Sequence, residues 1–462
     1  MKSALPKVMH TLSGKPLVQH VVDTAKKLDS EHQVHLVVGH GAERVIEHFA
    51  DSSVSIVEQT EQLGTGHAVA QALPHVGTES VTLVLYGDVP LIQQKSLSDL
   101  LALVSDRSMA LLTAIPESSS GYGRIVRNAQ NQVLAIVEEK DASEEQKAIG
   151  EINTGILAVQ SSKLHQWLPR LSSNNAQGEY YLTDIIAMAV ADGLIVETSQ
   201  PEYIEETLGV NNRMQLAELE RFYQSRQAEL LMMNGATLAD PARIDVRGEL
   251  TTGQDCFIDI NAIFEGQVIL GNNVTIGPNC ILKNCIVGDD TVIEAFTSID
   301  DAHISDLCNI GPFARVRPGT KMEQGSKLGN FVETKKAHIG KGSKVNHLTY
   351  VGDTVMGEGA NIGAGTITCN YDGVNKHLTQ IGDGVFVGSN STLVAPVKLA
   401  AGSFIGAGSV ITKDTEEDKL SLARAKQVTI SKWKRPEKLP KAGGQEQKVI
   451  EKEQNTSGSE QT

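Results

Sequence analysis

The sequence predicts an open α/β domain followed by a parallel β-helix. Two patterns support this prediction: the first two hundred residues alternate helix-like and strand-like segments, and the second half repeats an apolar residue every six positions. The composition agrees, because glycine reaches 42 residues while aromatic residues make up only 4%, a balance suited to many tight turns. At 462 residues the chain also exceeds the usual size of one domain, roughly 100–200 residues.

The α/β domain is predicted from six apolar segments that are bounded by polar residues or glycine. They are 16–28, Val34–Val38, Val81–Tyr86, Met109–Ile115, Thr154–Val159 and Leu182–Ala191. The first and the last have the spacing of an amphipathic helix, and the other four are typical of buried strands. Helices that alternate with strands in this way favour βα units and a largely parallel sheet.

A single amphipathic helix is expected to connect the two domains. Residues 211–232 space Leu216, Leu219, Phe222 and Leu230 for one buried stripe. The domain boundaries that we predict are 1–210 for the α/β domain, 211–232 for the linker helix, 233–436 for the β-helix and 437–462 for a disordered tail. The tail is rich in Lys, Glu, Gln, Ser and Gly, a composition that buries too little apolar surface to order itself.

The six-residue period runs from residue 270 to residue 411. The apolar residues in register are Leu270, Ile276, Leu282, Val287, Ile293, Ile299, Ile304, Ile310, Val316, Met322, Leu328, Ile339, Val345, Val351, Ile381, Val387, Leu393, Leu399, Ile405 and Ile411. Each short strand would contribute one inward side chain, and stacked coils would share one continuous core. Residues 369–380 break the period, which predicts a loop that leaves the β-helix and where a site could form.

The composition argues against several classes of function. A net charge of −15 and a pI near 5.4 argue against nonspecific nucleic-acid binding, which normally needs a basic surface. The chain has no long apolar run and no signal-peptide core in residues 1–20, so we expect a soluble cytoplasmic protein without membrane insertion. Its five cysteines show no zinc-site spacing, and free, mostly buried thiols are expected.

Short motifs in the first domain narrow its function. They are Leu5-Pro6-Lys7, Gln62-Leu63-Gly64-Thr65-Gly66-His67, Tyr86-Gly87-Asp88-Val89-Pro90, Gly121-Tyr122-Gly123-Arg124 and Glu151-Ile152-Asn153-Thr154-Gly155. They closely resemble motifs of the sugar-nucleotide pyrophosphorylases, whose catalytic domain is a Rossmann-like nucleotidyltransferase fold. The resemblance implies that a sugar 1-phosphate attacks the α-phosphorus of UTP, that pyrophosphate leaves, and that Mg²⁺ assists.

Motifs in the second half are more specific. They are Gly311-Pro312-Phe313-Ala314-Arg315, Asn330-Phe331-Val332-Glu333, His347-Leu348-Thr349-Tyr350 and Cys369-Asn370-Tyr371-Asp372-Gly373. With them, residues 1 to about 436 resemble the bacterial bifunctional family that joins an N-acetylglucosamine-1-phosphate uridylyltransferase to a glucosamine-1-phosphate acetyltransferase. The resemblance implies a left-handed β-helix that acetylates glucosamine 1-phosphate from acetyl-CoA. The first domain would then uridylylate the product for cell-envelope precursors.

Matching positions imply the nucleotide-sugar site. Residues expected to bind UTP or the UDP-sugar are Lys7, Gln59, Gly64, Thr65, Tyr86, Gly87, Asp88, Gly123, Glu138, Asn153 and Asn211. Among them Lys7 would approach phosphate, and Asp88 and Asn211 would hold Mg²⁺. Without the surrounding motif, Asp88 at a strand end is as readily explained as a turn carboxylate.

The resemblance also implies the acetyltransferase site. His347 would be the general base, oriented by Glu333, because histidine exchanges a proton near neutral pH; an arbitrary one of the 13 histidines is usually structural or exposed. Residues expected to bind the sugar phosphate are Arg317, Lys335, Tyr350 and Asn361. Residues expected to bind acetyl-CoA are Ala364, Asn370, Tyr371, Ser389, Ala407 and Arg424. The charged members could equally be solvated surface residues. In this family acetyl-CoA lies between neighbouring chains, which implies a homotrimer.

The sequence departs from the pyrophosphorylase pattern at its first residue. In that family a strand and a Gly-rich turn of the form L-A-A-G-x-G-T-R-M precede the Leu-Pro-Lys motif, and Met1 here takes the place of the final Met. Uridylyl transfer would then lack backbone donors for the nucleotide phosphates and an arginine. Two explanations are open: Met1 is an internal methionine of the complete enzyme, or the shorter chain is real and only acetylates. We favour the first, because Lys7, Asp88, Asn153 and Asn211 are all in place.

Two other classes of protein combine similar domains. In glucose-1-phosphate adenylyltransferases the β-helix serves assembly and regulation. Membership of that class would give no reason to expect His347, Asn370, Tyr371 or Arg424. Non-enzymatic regulatory subunits of a eukaryotic translation-factor exchange complex usually continue into a further helical domain, whereas a disordered tail is expected here. Binding of CoA would distinguish the acetyltransferase from both.

Overall fold

The computed structural model describes residues 1–28 and 33–438, which belong to two units. The first unit, Met1–Ala423, contains every helix and strand of these described ranges. The second unit begins at Arg424, and its described part, 424–438, contains neither helix nor strand. The predicted disordered tail lies outside the described residues from 439 onward.

The predicted α/β segments form helices and strands close to their expected bounds. The helices are α1 Leu17–Lys26, α2 Ala42–Phe49, α3 Thr65–Ala72, α4 Gln94–Leu101, α5 Glu144–Lys147, α6 Ser161–Trp167, α7 Asp184–Ala191 and α8 Arg213–Met233. The strands are β1 Thr11–Leu12, β2 Lys15–Pro16, β3 His35–Val38, β4 Ser55–Glu58, β5 Val81–Val84, β6 Ser108–Ala114, β7 Arg124–Arg127, β8 Val133–Val137, β9 Ile152–Gln160 and β10 Ile195–Ser199. Short 3-10 helices lie at Lys7–Met9, Leu73–His75, Leu168–Arg170, Ile204–Thr207 and Pro241–Arg243. Across the described ranges, no helix is long and apolar enough to cross a membrane.

The main sheet of the α/β domain is mixed, so the expectation of a largely parallel sheet was wrong. Its order is β10-β6-β9-β7-β8, with β5 paired to β9. Strand β10 runs parallel to β6, whereas β9 runs antiparallel to β5, β6 and β7. The reason is that the chain reaches β9 after the antiparallel pair β7–β8 rather than through a helical crossover, and only a crossover returns a strand in the same direction.

A cavity interrupts the α/β domain between two sheets. Strands β3 and β4 form a separate parallel pair, and a cavity of about 1460 Å³ lies between β3 and β5. Apolar side chains from both strands and from α1 and α3 line most of it. Doubly wound sheets have the strand order 3-2-1-4, in which each number gives a strand's place along the chain. In this order β4 corresponds to strand 3, β3 to strand 2 and β5 to strand 4. The cavity takes the first place, which no strand of residues 1–28 and 33–438 occupies.

We expect an added strand to fill this cavity. An apolar strand joined to Met1 through a glycine-rich connector would pair with β3 and β5 and cover the cavity lining. Calorimetry should then show the unfolding temperature of the α/β domain rising by about 5 °C or more, since each kilocalorie per mole shifts Tm by a few degrees. A Gly-Ser extension of equal length is the control. Equal shifts for the two extensions would contradict this account of the cavity.

The second half forms a triangular β-helix of parallel strands. Its strands are β11 Thr237–Leu238, β12 Ile244–Thr252, β13 Phe257–Ile258, β14 Ala262–Leu270, β15 Thr275–Ile276, β16 Ile281–Val287, β17 Val292–Ile293, β18 Ser298–Asp300, β19 Ala302–Ile304, β20 Asn309–Ile310, β21 Arg315–Val316, β22 Thr320–Met322, β23 Lys327–Asn330, β24 Glu333–Ile339, β25 Lys344–His347, β26 Tyr350–Met356, β27 Asn361–Ile362, β28 Ile367–Cys369, β29 Thr379–Ile381, β30 Phe386–Val387, β31 Thr392–Val394, β32 Val397–Leu399, β33 Phe404–Ile405, β34 Val410–Ile411 and β35 Leu420–Ser421. One face is an 11-stranded sheet that starts with β11, and a 14-stranded sheet that starts with β12 covers the rest. Every apolar residue of the predicted six-residue register is buried in one continuous core, which confirms the left-handed β-helix expected from the repeat.

The linker helix α8 docks on the first coil of the β-helix. Leu219 is buried as predicted, but Leu230 is 45% exposed and Leu231 is buried instead. One residue is 100° of helix rotation, so the predicted stripe was misplaced in the last turns. The cause is a buried polar anchor: the side-chain amide of Gln224 accepts from the backbone N–H of Val246 at 2.7 Å and donates to its carbonyl oxygen at 2.9 Å.

The five cysteines are free thiols, as predicted. Four are buried and Cys369 is half-buried. Burial raises the pKa of Cys280 to about 11 and the pKa of Cys285 to about 12, so these thiols stay protonated and unreactive near neutral pH.

Candidate functional site

Three predicted residues of the nucleotide site meet beyond the end of β5. The ammonium nitrogen of Lys7 lies 2.5 Å from Oδ2 of Asp88 and 2.9 Å from Oδ1 of Asn211. Asp88 follows Gly87 in the turn after β5, and the backbone N–H of Val210 donates to the Asp88 carbonyl at 3.0 Å, which brings Asn211 alongside. In the described part of the chain, no group of three or more His, Cys, Asp or Glu could hold a metal ion. Two oxygens that converge on one positive charge do suit a hard cation that takes its other ligands from phosphate and water.

The predicted sugar-binding residues line a close-packed turn. The backbone N–H of Asn153 donates to the carbonyl of Gly123 at 2.8 Å, and a side chain on Gly123 would meet Glu138 at 3.4 Å. Tyr86 packs on Gly155, whose φ of +83° and closeness to the ring, 2.5 Å for a Cβ, leave room only for glycine. Burial raises the pKa of Glu138 and raises the pKa of Tyr86 to about 12. Burial therefore favours the neutral forms of both side chains.

The predicted uracil contacts form the turn into α3. Gly64 has a φ of +112° and packs so closely on Tyr180 that a Cβ would lie 2.7 Å from its carbonyl oxygen. Gln59 donates from Nε2 to the Gly64 carbonyl at 3.2 Å, and Thr65 accepts at Oγ1 from the Leu182 N–H at 3.1 Å. Nε2 of Gln59 also lies 3.0 Å from Nδ1 of His67, so these contacts together fix the turn.

In the β-helix, the residues that the motifs single out line up at one corner. Each coil turns from the 11-stranded sheet to the 14-stranded sheet at the same place, and we call these turns the site corner. Its members are residues 260–261, 278–279, 295–296, 312–313, 330–331, 347–348, 364–365, 389–390 and 407–408. At seven of the eight steps between successive turns, the N–H of the second residue of one turn donates to the carbonyl of the first residue of the turn below.

Three predicted acetyl-CoA residues form a straight track that leads to His347. The N–H of Gly365 donates to the His347 carbonyl at 3.3 Å, that of Asn390 to Ala364 at 2.8 Å, and that of Gly408 to Ser389 at 2.8 Å. This stacks His347, Ala364, Ser389 and Ala407 in four successive coils. Coils rise about 4.8 Å each, so the track is about 14 Å long. Small side chains along it allow an extended chain to approach the backbone closely.

The side chain of His347 is exposed, and Asn330 orients it. Nδ1 of His347 lies 2.6 Å from Oδ1 of Asn330 in the coil below. An amide oxygen only accepts, so this contact favours the ring proton on Nδ1, which leaves the lone pair on Nε2. The expected orienting residue, Glu333, instead accepts at 2.6 Å from the Arg317 guanidinium. Sequence reasoning missed Asn330, although its spacing of 17 residues from His347 is one coil.

Three cations, Arg317, Lys335 and Lys376, lie close together beside the site corner. The positive charges of Lys376 and Arg317 lower the pKa of Lys335. Repulsion of this kind is relieved by an anion, and a phosphate monoester suits three neighbouring cations. Lys376 was not predicted as a site residue; it lies in the 369–380 loop, which leaves the β-helix as expected.

Asn370 and Tyr371, which were also predicted as site residues, lie in the same loop. Gly352 lies against both Tyr350 and Asn370, since a Cβ there would be 2.4 Å from the Tyr350 hydroxyl and 2.8 Å from the Asn370 amide nitrogen. Asn370 also donates to Asp353. Tyr371 is exposed at the start of the loop.

The predicted acetyltransferase residues divide between two faces. His347 and Asn361 lie on the 11-stranded sheet, whereas Lys335 and Tyr350 lie on the 14-stranded sheet. Arg424 belongs to the second unit. One chain therefore presents His347 and Lys335 on opposite sides of the site corner.

Comparisons with known proteins agree with both halves of the chain. Residues 1–155 match the family described as MobA-like NTP transferase domain, and residues 251–284 and 378–413 match the bacterial transferase hexapeptide family of six repeats. The chain is 60% identical over 438 residues to the bifunctional protein GlmU of Marinobacter nauticus, covering 95% of this chain and 96% of that protein. It is 59% identical to the same protein of Cellvibrio japonicus over 94% of this chain and 96% of the relative, and 57% identical to that of Nitrosospira multiformis over 96% of both. At this identity and coverage, the chain belongs to the bifunctional GlmU family.

Proposed function

We propose that this chain makes UDP-N-acetylglucosamine in two reactions at two separate sites. Acetyl-CoA first acetylates glucosamine 1-phosphate on the β-helix, and UTP then uridylylates N-acetylglucosamine 1-phosphate on the α/β domain. The observation that carries the proposal is the track of small residues that ends at the exposed side chain of His347. The family's name, bifunctional, agrees with two sites.

In the acetyl transfer, His347 acts as the general base. Its Nε2 takes a proton from the sugar amine, whose nitrogen forms a bond to the thioester carbonyl carbon. The bond from that carbon to sulfur breaks, and the imidazolium returns its proton to the leaving CoA sulfur. Asn330 keeps Nδ1 protonated throughout, so Nε2 is the atom that exchanges the proton.

The two substrates meet at the site corner. Acetyl-CoA lies along Ala364, Ser389 and Ala407, with Asn370 and Tyr371 as further contacts. Arg317, Lys335 and Lys376 hold the sugar phosphate by charge, and Tyr350 and Asn361 hold its hydroxyl groups. The proximity of the three cations supports this role, because the pairing of Arg317 with Glu333 balances only one of the three positive charges.

In the uridylyl transfer, a phosphate oxygen of the sugar 1-phosphate bonds to the α-phosphorus of UTP as the bond to the β-phosphate oxygen breaks. Lys7 neutralises phosphate charge, while Gln59, Gly64 and Thr65 hold the base and Gly123, Glu138 and Asn153 hold the sugar. Asp88 and Asn211 are the residues that would hold Mg²⁺, which neutralises charge on the phosphates when it is bound. Lys7 bridges these two oxygens here, and it is free to move to phosphate once a cation replaces it.

We also propose that the working unit is a homotrimer in the cytoplasm. The division of the acetyltransferase residues between two faces supports an assembly in which neighbouring chains complete each site. UTP and acetyl-CoA are cytoplasmic metabolites, and five unpaired thiols fit a reducing compartment.

The direct test follows each reaction separately. Acetyl transfer is measured as free CoA thiol released with glucosamine 1-phosphate, and uridylyl transfer as pyrophosphate released with N-acetylglucosamine 1-phosphate, UTP and Mg²⁺. We expect both products. Failure to bind or consume acetyl-CoA would contradict the acetyltransferase and favour a nucleotidyltransferase whose β-helix serves assembly alone.

Substitutions of Asn330 should separate positioning from structure. Asn330→Asp places a carboxylate at Nδ1 of His347, which stabilises the protonated imidazole, so the acid limb of the rate profile should move to higher pH by about one unit. Asn330→Ala should lower kcat by about tenfold or more without that shift, because general-base efficiency depends on alignment. The measurement is kcat/KM for acetyl transfer between pH 5 and 9. Identical profiles for Asn330→Asp and the wild type would contradict the contact's role.

A further inference from the structure

The 369–380 loop folds back on itself as a hairpin. Tyr371 and Lys376 face each other in an isolated antiparallel bridge, and the N–H of Asp372 donates to the carbonyl of Asn375 at 3.1 Å. Lys376 is one of the cations proposed to hold the sugar phosphate. The sequence motifs assign no role to Asp372, although it lies between the two bridged residues.

The carboxylate of Asp372 ties both arms of this hairpin together. Its Oδ1 accepts from the backbone N–H of Val374 at 2.8 Å and from that of Asn375 at 2.6 Å. Its Oδ2 accepts from Nε2 of His377 at 2.7 Å. The His377 bond and the two backbone bonds hold the pKa of Asp372 well below its usual range. The group is therefore charged near neutral pH, and a charged acceptor strengthens all three bonds.

These bonds hold the chain on both sides of Lys376. The residue before it, Asn375, is bound through its backbone N–H, and the residue after it, His377, through its ring. The direction of the Lys376 side chain matters, because its charge lies close enough to Lys335 to lower the pKa of that ammonium group. Like charges repel one another, and the bonds of Asp372 oppose a loop movement that would carry Lys376 away.

We propose that Asp372 is a positioning residue for acetyl transfer, which sets Lys376 against the phosphate of glucosamine 1-phosphate. It acts through the hairpin rather than on the substrate itself. The inference rests on the proposed function, in which Lys376 binds that phosphate. Because Asp372 reaches the reaction only through a phosphate-binding cation, it governs the binding of the sugar phosphate and not the proton transfer at His347.

The first variant is Asp372→Ala, which removes all three bonds. At saturating acetyl-CoA, the KM for glucosamine 1-phosphate should rise about tenfold, the effect of one lost bond to a charged group. The kcat should change by less than about threefold, since the base stays in place. Asp372→Asn keeps an oxygen for the two backbone N–H groups, so its KM should rise only about threefold.

Asp306→Ala is the matched control carboxylate. Asp306 also accepts from a backbone N–H, that of Asp289 at 2.9 Å, but it lies in the turn before β20 and not in the hairpin. Its substitution should leave the KM for glucosamine 1-phosphate unchanged.

The decisive comparison is with Lys376→Ala. This variant should itself raise the KM about tenfold or more, and adding Asp372→Ala should raise it no further, because the carboxylate acts through the cation. A role in the stability of the loop alone would make the two effects multiply. Should Asp372→Ala fail to fold, Asp372→Asn replaces it in the same comparison.

Three results would overturn the positioning role. They are a wild-type KM in Asp372→Ala, a lower kcat with unchanged KM, and multiplied effects in the double variant. The proposed function is tested separately in the same assay. A wild-type protein that transfers no acetyl group would refute that function, whereas normal transfer with an unchanged KM in Asp372→Ala would refute the positioning role alone.

Discussion

Replacing His347 by alanine should lower kcat for acetyl transfer by about 100- to 10,000-fold, the range that general-base catalysis contributes. The reason is that the track of Ala364, Ser389 and Ala407 leads to His347, whose Nε2 keeps a lone pair while Nδ1 contacts Asn330. The KM for acetyl-CoA should change little, because its proposed contacts lie in the coils above. The measurement is release of CoA thiol under saturating glucosamine 1-phosphate.

His338→Ala is the matched control for this prediction. His338 also lies on the surface of the β-helix, where it pairs with Glu323 at 3.5 Å, but outside the site corner. It should leave acetyl transfer intact. A His347→Ala enzyme with more than a tenth of the wild-type rate would show that the amine loses its proton to another group.

Replacing Asp88 by asparagine should lower kcat for uridylyl transfer by about 100-fold or more, since a bound divalent cation stabilises the transition state by several kilocalories per mole. The substitution removes the carboxylate charge that Lys7 now neutralises and that the cation needs. The variant should also require a higher Mg²⁺ concentration for half its maximal rate. Pyrophosphate release across a Mg²⁺ titration measures both effects.

Asp99→Asn is the control carboxylate in the same domain. Asp99 pairs with Lys95 on the exposed side of α4 and takes no part in the proposed site. Its substitution should leave both the rate and the Mg²⁺ dependence unchanged. A Mg²⁺ dependence that is the same for Asp88→Asn and the wild type would place the cation elsewhere.

The β-helix was predictable because its signal is periodic and its core is local. Every short strand must place one apolar residue inward, so the residues from Leu270 to Ile411 could be assigned to the core from spacing alone. The mixed sheet of the α/β domain was not predictable in this way. The direction of β9 depends on which partner it pairs with, and apolar runs of four to nine residues carry no sign of direction.

The residues of the candidate sites were likewise predictable only in part. Motifs predicted Lys7, Asp88 and Asn211, and the structure brings the three together although more than 200 residues separate the first from the last. Asn330 and Lys376 were missed because each reaches its partner through the stacking of coils or through a loop. The stacked rings of Phe296, Phe313 and Phe331 were missed for a similar reason, as phenylalanines about 17 residues apart become neighbours only when 17 residues make one coil.

The most direct test of two independent sites is a mixture of the His347→Ala and Asp88→Asn enzymes supplied with glucosamine 1-phosphate, acetyl-CoA, UTP and Mg²⁺. Alone, the first variant should leave the amine unreacted, and the second should accumulate N-acetylglucosamine 1-phosphate. The mixture should make UDP-N-acetylglucosamine, because the acetylated intermediate diffuses from one site to the other. A mixture that makes none, or a His347→Ala enzyme that makes it unaided, would contradict the assignment of the two reactions to these two sites.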